Sequence, residues 1–555
     1  MQKRIVYIYN HCKDYNTSNI DNSILEKYLP NDKDFHLFIF DFFSLQKNQA
    51  YVSSNFEKNY IINSIRNHTS NLSEQTENLI NEQINNSLDY QTKININLVF
   101  IGSGQSGKST TIGHLLLDTN TISSDYFENI KKYVQQYNFY YSYRYAWIFD
   151  STYHERTWRH TIESKSKKLE TEKYFFSVID IPGKKNLVKN ATLGIFQGDA
   201  AIIVVPADEI SFQEIFSEET SFKDQIITAF TMGIKQIIVG INKMDLCHYS
   251  EERYLEIKKD IRKFLKKIGY DDDSIQYICY SGLTGHNLVN RYENDDKLKI
   301  NKTPWYKGNT LLEALDQLKP PKRLINKPLR IPIFGYHKIT GVGYVFIGVI
   351  KSGILIKDNS IFISPFRQYI NGEEKKYKIC KSKCISIEKY YKDLNMAIPG
   401  DIIGIKEDSS RYFRINHKGV ILGNYEEKFI PEVKNFTSII IFINIPNPIK
   451  VGFSPIIYCH TSQVRVKFTE FIYIVDKKTN KIMEKNPKEI KNGEKAVVRL
   501  EPLKEFICEK YSDNPYLGSF TIYNNNKIIA VGKIKEVANI KYEKKDFLDC
   551  NLFKH

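Results

Sequence analysis

The first residues whose types and spacing could do chemistry form a glycine-rich run that follows an apolar stretch. It reads Gly102-Ser103-Gly104-Gln105-Ser106-Gly107-Lys108-Ser109, with Thr110 directly after it. This order fits the pattern G-x4-G-K-[ST], in which glycines let backbone N–H groups surround phosphates, a lysine adds positive charge and a hydroxyl ligates magnesium. The run therefore predicts a phosphate-binding loop, with Lys108 on the β- and γ-phosphates and Ser109 on the metal.

Two later motifs indicate which base the phosphates belong to. Asn242-Lys243-Met244-Asp245 has the order N-K-x-D and closes an apolar stretch. A carboxylate at Asp245 can accept hydrogen bonds from N1–H and N2–H2 of guanine, a donor pair that adenine lacks, and a wrong base would leave buried groups unpaired. The following apolar stretch ends in Ser281-Gly282-Leu283, whose backbone can cap the guanine carbonyl oxygen. Together the motifs predict a site for GTP or GDP.

A third set of residues is placed to hold magnesium and to sense the γ-phosphate. Asp180-Ile181-Pro182-Gly183 has the order D-x-x-G, so Asp180 can hold a metal-bound water and the Gly183 amide can meet the phosphate. Thr161 is placed to add its hydroxyl to the metal, although on its residue type alone it is only one polar residue in a loop. The predicted magnesium ligands are Ser109, Thr161 and, through water, Asp180.

The stretches around these motifs predict the elements that must position them. Apolar runs at 94–101, 174–179, 200–205, 236–241 and 275–280 alternate with helical patterns at 110–117, 222–232, 251–268 and 310–318. Such alternation is typical of a doubly wound, mostly parallel sheet, which binds ligands at the carboxyl ends of its strands. The predicted fold class is thus an α/β P-loop domain.

After Pro320-Pro321 the pattern changes to short strands separated by glycine turns, which predicts two all-β domains built as antiparallel barrels or sandwiches, and we expect barrels. The expected organisation is an extension and linker of unassigned function (1–93), a GTP-binding domain (94–325), barrel 2 (326–430), barrel 3 (431–543) and a tail (544–555). Residues 61–93 carry apolar side chains at roughly helical spacing, which is compatible with an amphipathic linker helix.

The formal net charge of +15 favours a polyanionic partner such as RNA or a ribosome, although a solvated basic surface would give the same number. The sequence contains no run of about 18 apolar residues, so we expect no membrane span. The N-terminal residues do not form a signal-peptide pattern, so we expect a cytoplasmic protein that does not bind membranes.

At this point the chain resembles the elongation factor 1-alpha family of translational GTPases, which includes the eukaryotic class II release factor and the Hbs-type rescue factor. Beyond the nucleotide motifs, the resemblance lies in Tyr145–Asp150, Thr303–Gly308, Gly452–Pro455 and Cys459–Thr461. It implies a GTPase whose triphosphate form clamps both barrels and which carries a tRNA, or a tRNA-shaped release-factor or Pelota-like protein, to the ribosomal A site. A nucleotide-exchange factor is a further implied partner, whose need the sequence leaves open.

Lys184 departs from the family pattern, which has a histidine after D-x-P-G to orient the attacking water. A lysine offers only donors near neutral pH unless its pKa is driven far down, so we predict slow or impaired hydrolysis with Lys184 in the catalytic position. His160 is the alternative candidate for positioning the water.

The cargo is predicted less directly. Lys351 stands where the family pattern has an acidic residue near the pocket for the aminoacyl end of tRNA, and 318–330 is slightly closer to the Hbs type. These features favour a rescue or release factor. The segment from Gly452 to Thr461 is closer to the elongation factor, so a divergent elongation factor carrying aminoacyl-tRNA is the first alternative. A GTP-binding module that does not hydrolyse GTP is the second.

Overall fold

The computed structural model describes residues 93–549 with short gaps at 137–138, 218–219, 294–298, 340–341, 371–372, 378, 409–418, 428, 477–478, 480 and 543–546. The predicted N-terminal extension, with its linker helix, lies outside the described residues except for Lys93. In the part that is described, an α/β domain is followed by two closed antiparallel barrels, which confirms the predicted fold class.

The α/β domain contains a six-stranded sheet in the order β2-β3-β1-β4-β5-β6. Its strands are β1 (Ile94–Ile101), β2 (Lys165–Glu170), β3 (Tyr174–Asp180), β4 (Ala200–Pro206), β5 (Gln236–Asn242) and β6 (Gln276–Cys279). Only β2 is antiparallel to its neighbour, so the sheet is mostly parallel. The inner strands are continuous apolar runs because helices cover both faces.

The helices of this domain lie between and beside the strands. They are α1 (Lys108–Asp118), α2 (Ser124–Gln136), α3 (Tyr143–Ala146), α4 (Tyr153–Trp158), α5 (Val188–Gln197), α6 (Glu209–Ile215), α7 (Phe222–Thr231), α8 (Glu251–Ile268) and α9 (Leu311–Leu315), with single 3-10 turns at Lys185–Leu187, Met244–Cys247 and Asp272–Ser274. In α8 the buried side chains recur at helical spacing, Ser250 caps the first turn, and Gly269 at φ 113° ends the helix.

Barrel 2 is built from β7 (Ile331–Ile339), β8 (Gly343–Val349), β9 (Leu355–Ile356), β10 (Ser360–Ser364), β11 (Phe366–Ile370), β12 (Glu373–Tyr377), β13 (Ile379–Lys389), β14 (Lys392–Leu394), β15 (Met396–Ala397), β16 (Ile402–Glu407) and β17 (Ile421–Asn424). Six of these strands form the wall in the order β10-β17-β7-β8-β16-β13, and pairing of β10 with β13 closes it.

Barrel 3 contains β18 (Val433–Phe442), β19 (Ile449–Lys450), β20 (Ile456–Cys459), β21 (Ser462–Val475), β22 (Ile482–Lys485), β23 (Glu489–Ile490), β24 (Lys495–Pro502), a short helix α10 (Pro515–Gly518), β25 (Ser519–Asn524) and β26 (Lys527–Asn539). Its wall is β20-β25-β26-β18-β24-β21, closed by β20 with β21. In the predicted tail, β27 (Phe547–Asp549) pairs in parallel with β13 of barrel 2.

The three domains contact one another through paired polar groups. Asn97 of β1 donates through Nδ2 to the Gly400 carbonyl oxygen of barrel 2 at 2.8 Å. Thr228 of α7 and Tyr523 of β25 share a hydrogen bond of 2.9 Å between their hydroxyls. Because Gln225 of α7 contacts Gly102, barrel 3 packs on a helix that borders the glycine-rich run.

Candidate nucleotide-binding site

The glycine-rich run spans the gap between the end of β1 and the start of α1. Lys108 folds its side chain back across this loop, and Nζ donates to the carbonyl oxygens of Gly102 and Ser103 at 3.0 and 2.8 Å. Burial lowers the pKa of Lys108 to about 8. Gly107 has φ 92°, and a Cβ there would meet the Asn242 amide nitrogen at 2.2 Å, so this position requires glycine.

Asn242 joins the phosphate loop to the two base-reading motifs. Its Nδ2 donates to the Ser106 carbonyl oxygen at 2.9 Å, and its Oδ1 accepts from the Gly282 amide at 2.8 Å. One side chain therefore joins its own loop to two others, which lie 136 and 40 residues away in sequence. The structure brings these predicted site residues together at one edge of the sheet, as their positions after parallel strands predict.

The predicted base-reading residues lie beside each other. The Ser281 hydroxyl donates to Asp245 Oδ1 at 2.6 Å, and the Met244 amide donates to the Tyr280 carbonyl oxygen at 3.3 Å. Lys243 has φ 64° and pairs through Nζ with Asp208 at 3.0 Å. Of the remaining predicted residues, Gln105 has φ 62°, and Thr110 and Leu283 are half-buried.

The three predicted magnesium ligands converge. The Ser109 hydroxyl donates to Asp180 Oδ2 at 2.5 Å and lies 3.2 Å from the Thr161 hydroxyl. The other oxygen of Asp180, Oδ1, is buried without a hydrogen-bond partner, and burial raises the pKa of this carboxyl. An orphaned carboxylate oxygen beside two hydroxyls is a donor set that fits Mg²⁺, which prefers hard oxygen ligands.

The carboxylate of Asp150 lies beside these three residues, and the sequence does not predict a role for it. The Thr161 hydroxyl donates to its Oδ1 at 2.9 Å. Burial, together with the charges of Asp180 and Glu155, raises the pKa of Asp150 to about 7. The only sequence signal was its place in the family-like segment from Tyr145, which does not show what it contacts.

Glu155 holds the loop that carries Thr161. It is buried on α4, completes a capping box with Thr152 and forms an ion pair with Lys165. Its Oε1 also accepts from the backbone amides of Ile162 and Glu163 at 3.2 and 3.4 Å. These hydrogen bonds fix the backbone on the C-terminal side of Thr161.

The residues around the predicted catalytic position lie against the phosphate loop. The Gly183 carbonyl oxygen accepts from the Gly104 amide at 3.0 Å, and a Cβ on Gly183 would lie 2.6 Å from Lys108 Nζ. Lys184 is exposed, with its Cγ 3.8 Å from the position of a Cβ on Gly104. His160 Nδ1 lies 2.7 Å from the Trp158 carbonyl oxygen, so its ring is held on the outer side of α4.

Gln225 of α7 connects the phosphate loop with the D-x-P-G motif and was not predicted. Its Oε1 accepts from the Gly102 amide at 3.1 Å, and its Nε2 donates to the Pro182 carbonyl oxygen at 3.0 Å. Ser221, just before this helix, donates to the Gly183 carbonyl oxygen at 2.8 Å. These hydrogen bonds join the D-x-P-G motif to the N-terminal end of α7.

Comparison with known proteins decides the family. The model of the elongation factor Tu GTP binding domain matches residues 93–321, and the model of the GTP-eEF1A C-terminal domain-like family matches 435–535. Elongation factor 1-alpha of Plasmodium falciparum is 40% identical over 445 residues, covering 80% of this chain and 96% of the relative. The chain belongs to the translational GTPase family of elongation factor 1-alpha.

Two further comparisons agree with this assignment. Elongation factor 1-alpha of Tetrahymena pyriformis is 37% identical over 458 residues, covering 82% of this chain and 99% of the relative. The Ski7 GTPase-like domain of S. cerevisiae, solved with GDP and inorganic phosphate, superposes with a TM-score of 0.65. At 19% identity, covering 81% of this chain and 99% of that one, it shows the shared fold.

In this translational GTPase, Lys351 lies at a junction of domains. Its side chain is buried, with Nζ 4.5 Å from the centre of the Phe196 ring and 4.9 Å from that of Tyr516. Burial lowers the pKa of Lys351 to about 8. Lys351, expected from the sequence to lie near an aminoacyl pocket, is thus an interdomain contact in this conformation.

Among the described helices, none is long and apolar enough to cross a membrane.

Proposed function

We propose that this translational GTPase is a GTP-dependent switch that acts on the ribosome in the cytoplasm and delivers a ligand to the A site. The observation that carries the proposal is the convergence of the phosphate loop, Asp180–Gly183 and the two base-reading loops, tied together by Asn242. The relatives named above are elongation factors, which supports a role in translation.

For nucleotide binding, we assign the phosphates to the backbone amides of 102–110 together with the Lys108 ammonium. Asn242 holds the loops, the stem of Lys243 flanks the base, and Asp245 accepts from guanine N1–H and N2–H2. Met244 and residues 281–283 shape the same pocket, with backbone amides facing the guanine carbonyl oxygen. Support comes from the short Ser281–Asp245 hydrogen bond, which orients the carboxylate.

Magnesium is assigned to Ser109 and Thr161 directly and to Asp180 through water. Bound there, Mg²⁺ would neutralise charge on the β- and γ-phosphates. The orphaned Oδ1 of Asp180 supports this assignment, because a buried carboxylate oxygen without a partner costs free energy unless a ligand satisfies it. Asp150 positions the Thr161 hydroxyl by accepting its hydrogen bond.

The switch runs from Gly183 to barrel 3. A γ-phosphate that binds the Gly183 amide would fix the Pro182–Gly183 peptide, whose carbonyl oxygen accepts from Gln225, and Ser221 holds the next peptide through the Gly183 carbonyl oxygen. Ser221 and Gln225 belong to the N-terminal end of α7, and Thr228 on the same helix bonds Tyr523 of barrel 3. Loss of the phosphate would therefore weaken this interface, which is the physical basis for a GTP-dependent clamp.

Hydrolysis is proposed to be slow. Family membership supports GTP hydrolysis in general, whereas the flexible Lys184 can neutralise γ-phosphate charge but orients water poorly.

We retain the domain bounds 94–325, 326–430 and 431–543 as a proposal, supported by the start of β7 at Ile331 and of β18 at Val433.

Two cargo assignments have support. We favour a tRNA-shaped protein of the release-factor or Pelota type, because 318–330 resembles the Hbs type, whereas the buried Lys351 is engaged at the domain junction and supports neither cargo. The 40% identity with elongation factor 1-alpha favours aminoacyl-tRNA as the second candidate. Pull-down from extract with the GTP-locked protein separates them. Recovery of bulk aminoacyl-tRNA without such a protein would overturn the first assignment. In a parallel pull-down with the GDP-bound protein, we expect a nucleotide-exchange factor that is absent from the GTP-locked sample.

Co-sedimentation with purified ribosomes tests the central proposal. We expect the protein to pellet with ribosomes in a non-hydrolysable GTP analogue and to remain in the supernatant in GDP. The Asp245→Asn variant is the matched control, since it should pellet only with the xanthosine analogue. Equal pelleting in both nucleotides would contradict a GTP-dependent switch.

A further inference from the structure

An exposed row of aromatic and imidazole rings lies on α4 and on the residues that follow it. Tyr153 and Trp158 are 72% and 58% exposed. Their rings are linked through histidines: Tyr153 to His154 at 5.9 Å, His154 to Trp158 at 5.3 Å, and Trp158 to His160 at 6.2 Å with an interplanar angle of 18°. We call this set, together with Arg159, the ring surface.

The charge on the ring surface has one sign. Arg159 is exposed and lies beside Trp158 in sequence, at the C-terminal end of α4. The one carboxylate of α4, Glu155, is buried and paired with Lys165, so it contributes no negative charge to the outer face. The surface therefore presents aromatic groups and one cation, Arg159, whose guanidinium lies 5.0 Å from the centre of the Phe139 ring.

We propose that the ring surface binds unpaired RNA bases by stacking. Every base has a π-face, and aromatic stacking is worth about 1–3 kcal/mol per base, while a cation beside the rings attracts the phosphate backbone. No exposed carboxylate lies on α4 itself to repel a polyanion, and the nearest one that follows in sequence is Glu163. A protein partner would instead be expected to use a contiguous apolar patch, whereas here imidazoles separate the two large rings.

The ring surface also lies next to the nucleotide site. His160 directly precedes Thr161, whose hydroxyl lies 3.2 Å from that of Ser109. RNA stacked on Trp158 would hold the end of α4, and with it the backbone of Thr161. This consequence rests on the proposed function, whereas the stacking itself does not require GTP.

Tryptophan fluorescence gives a direct test. The chain has three tryptophans, and of these Trp147 is buried and Trp305 half-buried, so Trp158 is the exposed one. Titration of the full chain with an oligoadenylate of about 12 nucleotides should quench this emission. Trp158→Phe should lose the quench and keep most of the affinity measured by anisotropy of labelled RNA.

The Trp158→Ala and Tyr153→Ala variants should each weaken the RNA complex by about fivefold or more. Tyr391→Ala removes an aromatic side chain on barrel 2 that is 51% exposed, and it is the matched control with unchanged affinity. Affinity for fluorescent GTP is measured in parallel, so that loss of the nucleotide site is distinguished from loss of the RNA surface.

Three results would overturn the proposal: no quenching, unchanged RNA affinity in Trp158→Ala, or equal binding of a duplex of the same length, which would show phosphate attraction alone. If Trp158→Ala binds RNA normally but loses ribosome stimulation, the surface contacts a protein instead. A chain that binds RNA with quenching but fails to bind GTP would retain this inference and contradict the proposed function.

Discussion

Lys351 Nζ donates a hydrogen bond of 2.6 Å to the carbonyl oxygen of Phe196. Phe196 lies in the last turn of α5, where the carbonyl groups present the negative end of the helix dipole. Lys351 follows β8 of barrel 2, so this hydrogen bond ties barrel 2 to the nucleotide domain. Helix α5 begins at Val188, shortly after the D-x-P-G motif. The hydrogen bond from Lys351 therefore lies at the C-terminal end of a helix whose N-terminal end is near the proposed γ-phosphate position.

Replacing Lys351 with glutamate should destabilise this junction. A buried carboxylate would face the Phe196 carbonyl oxygen without a donor, so we expect a loss of about 3 kcal/mol or more and a lower first unfolding midpoint. Lys351→Met, which keeps the stem and removes the buried charge, should cost much less. Lys327→Glu, an exposed change on the same barrel, is the control, and a Lys351→Glu midpoint equal to that control would refute the interdomain role.

His460 should make the stability depend on pH. Its ring is buried, Nε2 donates to the Ile507 carbonyl oxygen at 2.9 Å, and burial lowers its pKa to about 4. The unfolded chain takes up a proton first as pH falls below about 6.5, so this residue removes stability between pH 6.5 and 4, on the order of 3 kcal/mol in total. Denaturant titrations of wild type and His460→Gln should diverge over this range. Parallel curves would contradict the prediction.

Asp245→Asn should change the base preference. The amide presents a donor where guanine needs an acceptor, so GTP affinity should fall by about 10³-fold or more while xanthosine triphosphate gains. Competition binding with the four common triphosphates and the xanthosine nucleotide measures both effects. If the unmodified chain binds ATP and GTP equally, the guanine assignment is wrong.

Thr161→Ala should leave GDP affinity nearly unchanged and lower affinity for a GTP analogue by about tenfold, the value of one hydrogen-bonding group. Protease protection of 140–165 by the analogue should then disappear. Thr157→Ala, an exposed threonine on α4, is the control that retains protection. Equal protection of the wild type by GDP and by the analogue would show that the switch lies elsewhere.

Much of the fold follows from local pattern. The bounds of β1 and α8 agree with the prediction, because one is a continuous apolar run and the other has a regular apolar stripe with clear caps. The helix α5 was missed because seven of its ten residues are buried, which leaves only a narrow polar edge around Lys189 and Asn190. The edge strand β2 was missed because its lysines hide the alternation.

The site was predictable where motifs are contiguous in sequence. Lys108, Asn242 and Asp245 lie in such motifs, and the structure places them around one sheet edge. Gln225 was missed because its partner Gly102 lies 123 residues away in the chain. Asp150 lies only 11 residues from its partner Thr161, but α4 and a loop separate them, and no regular spacing identifies such a contact.

Ribosome-stimulated GTP hydrolysis is the measurement that tests the account most directly. We predict that the unmodified chain binds GTP, turns it over slowly and is only weakly stimulated by ribosomes, because Lys184 does not orient the attacking water. Lys184→His should raise stimulated turnover by tenfold or more, part of the about 10⁵-fold that supplied catalytic contacts contribute in a related GTPase family. Lys185→His, at the adjacent position, is the control without effect. Turnover in the unmodified chain as fast as in a relative that carries histidine would contradict the role given to Lys184, and absence of GTP binding would contradict the account as a whole.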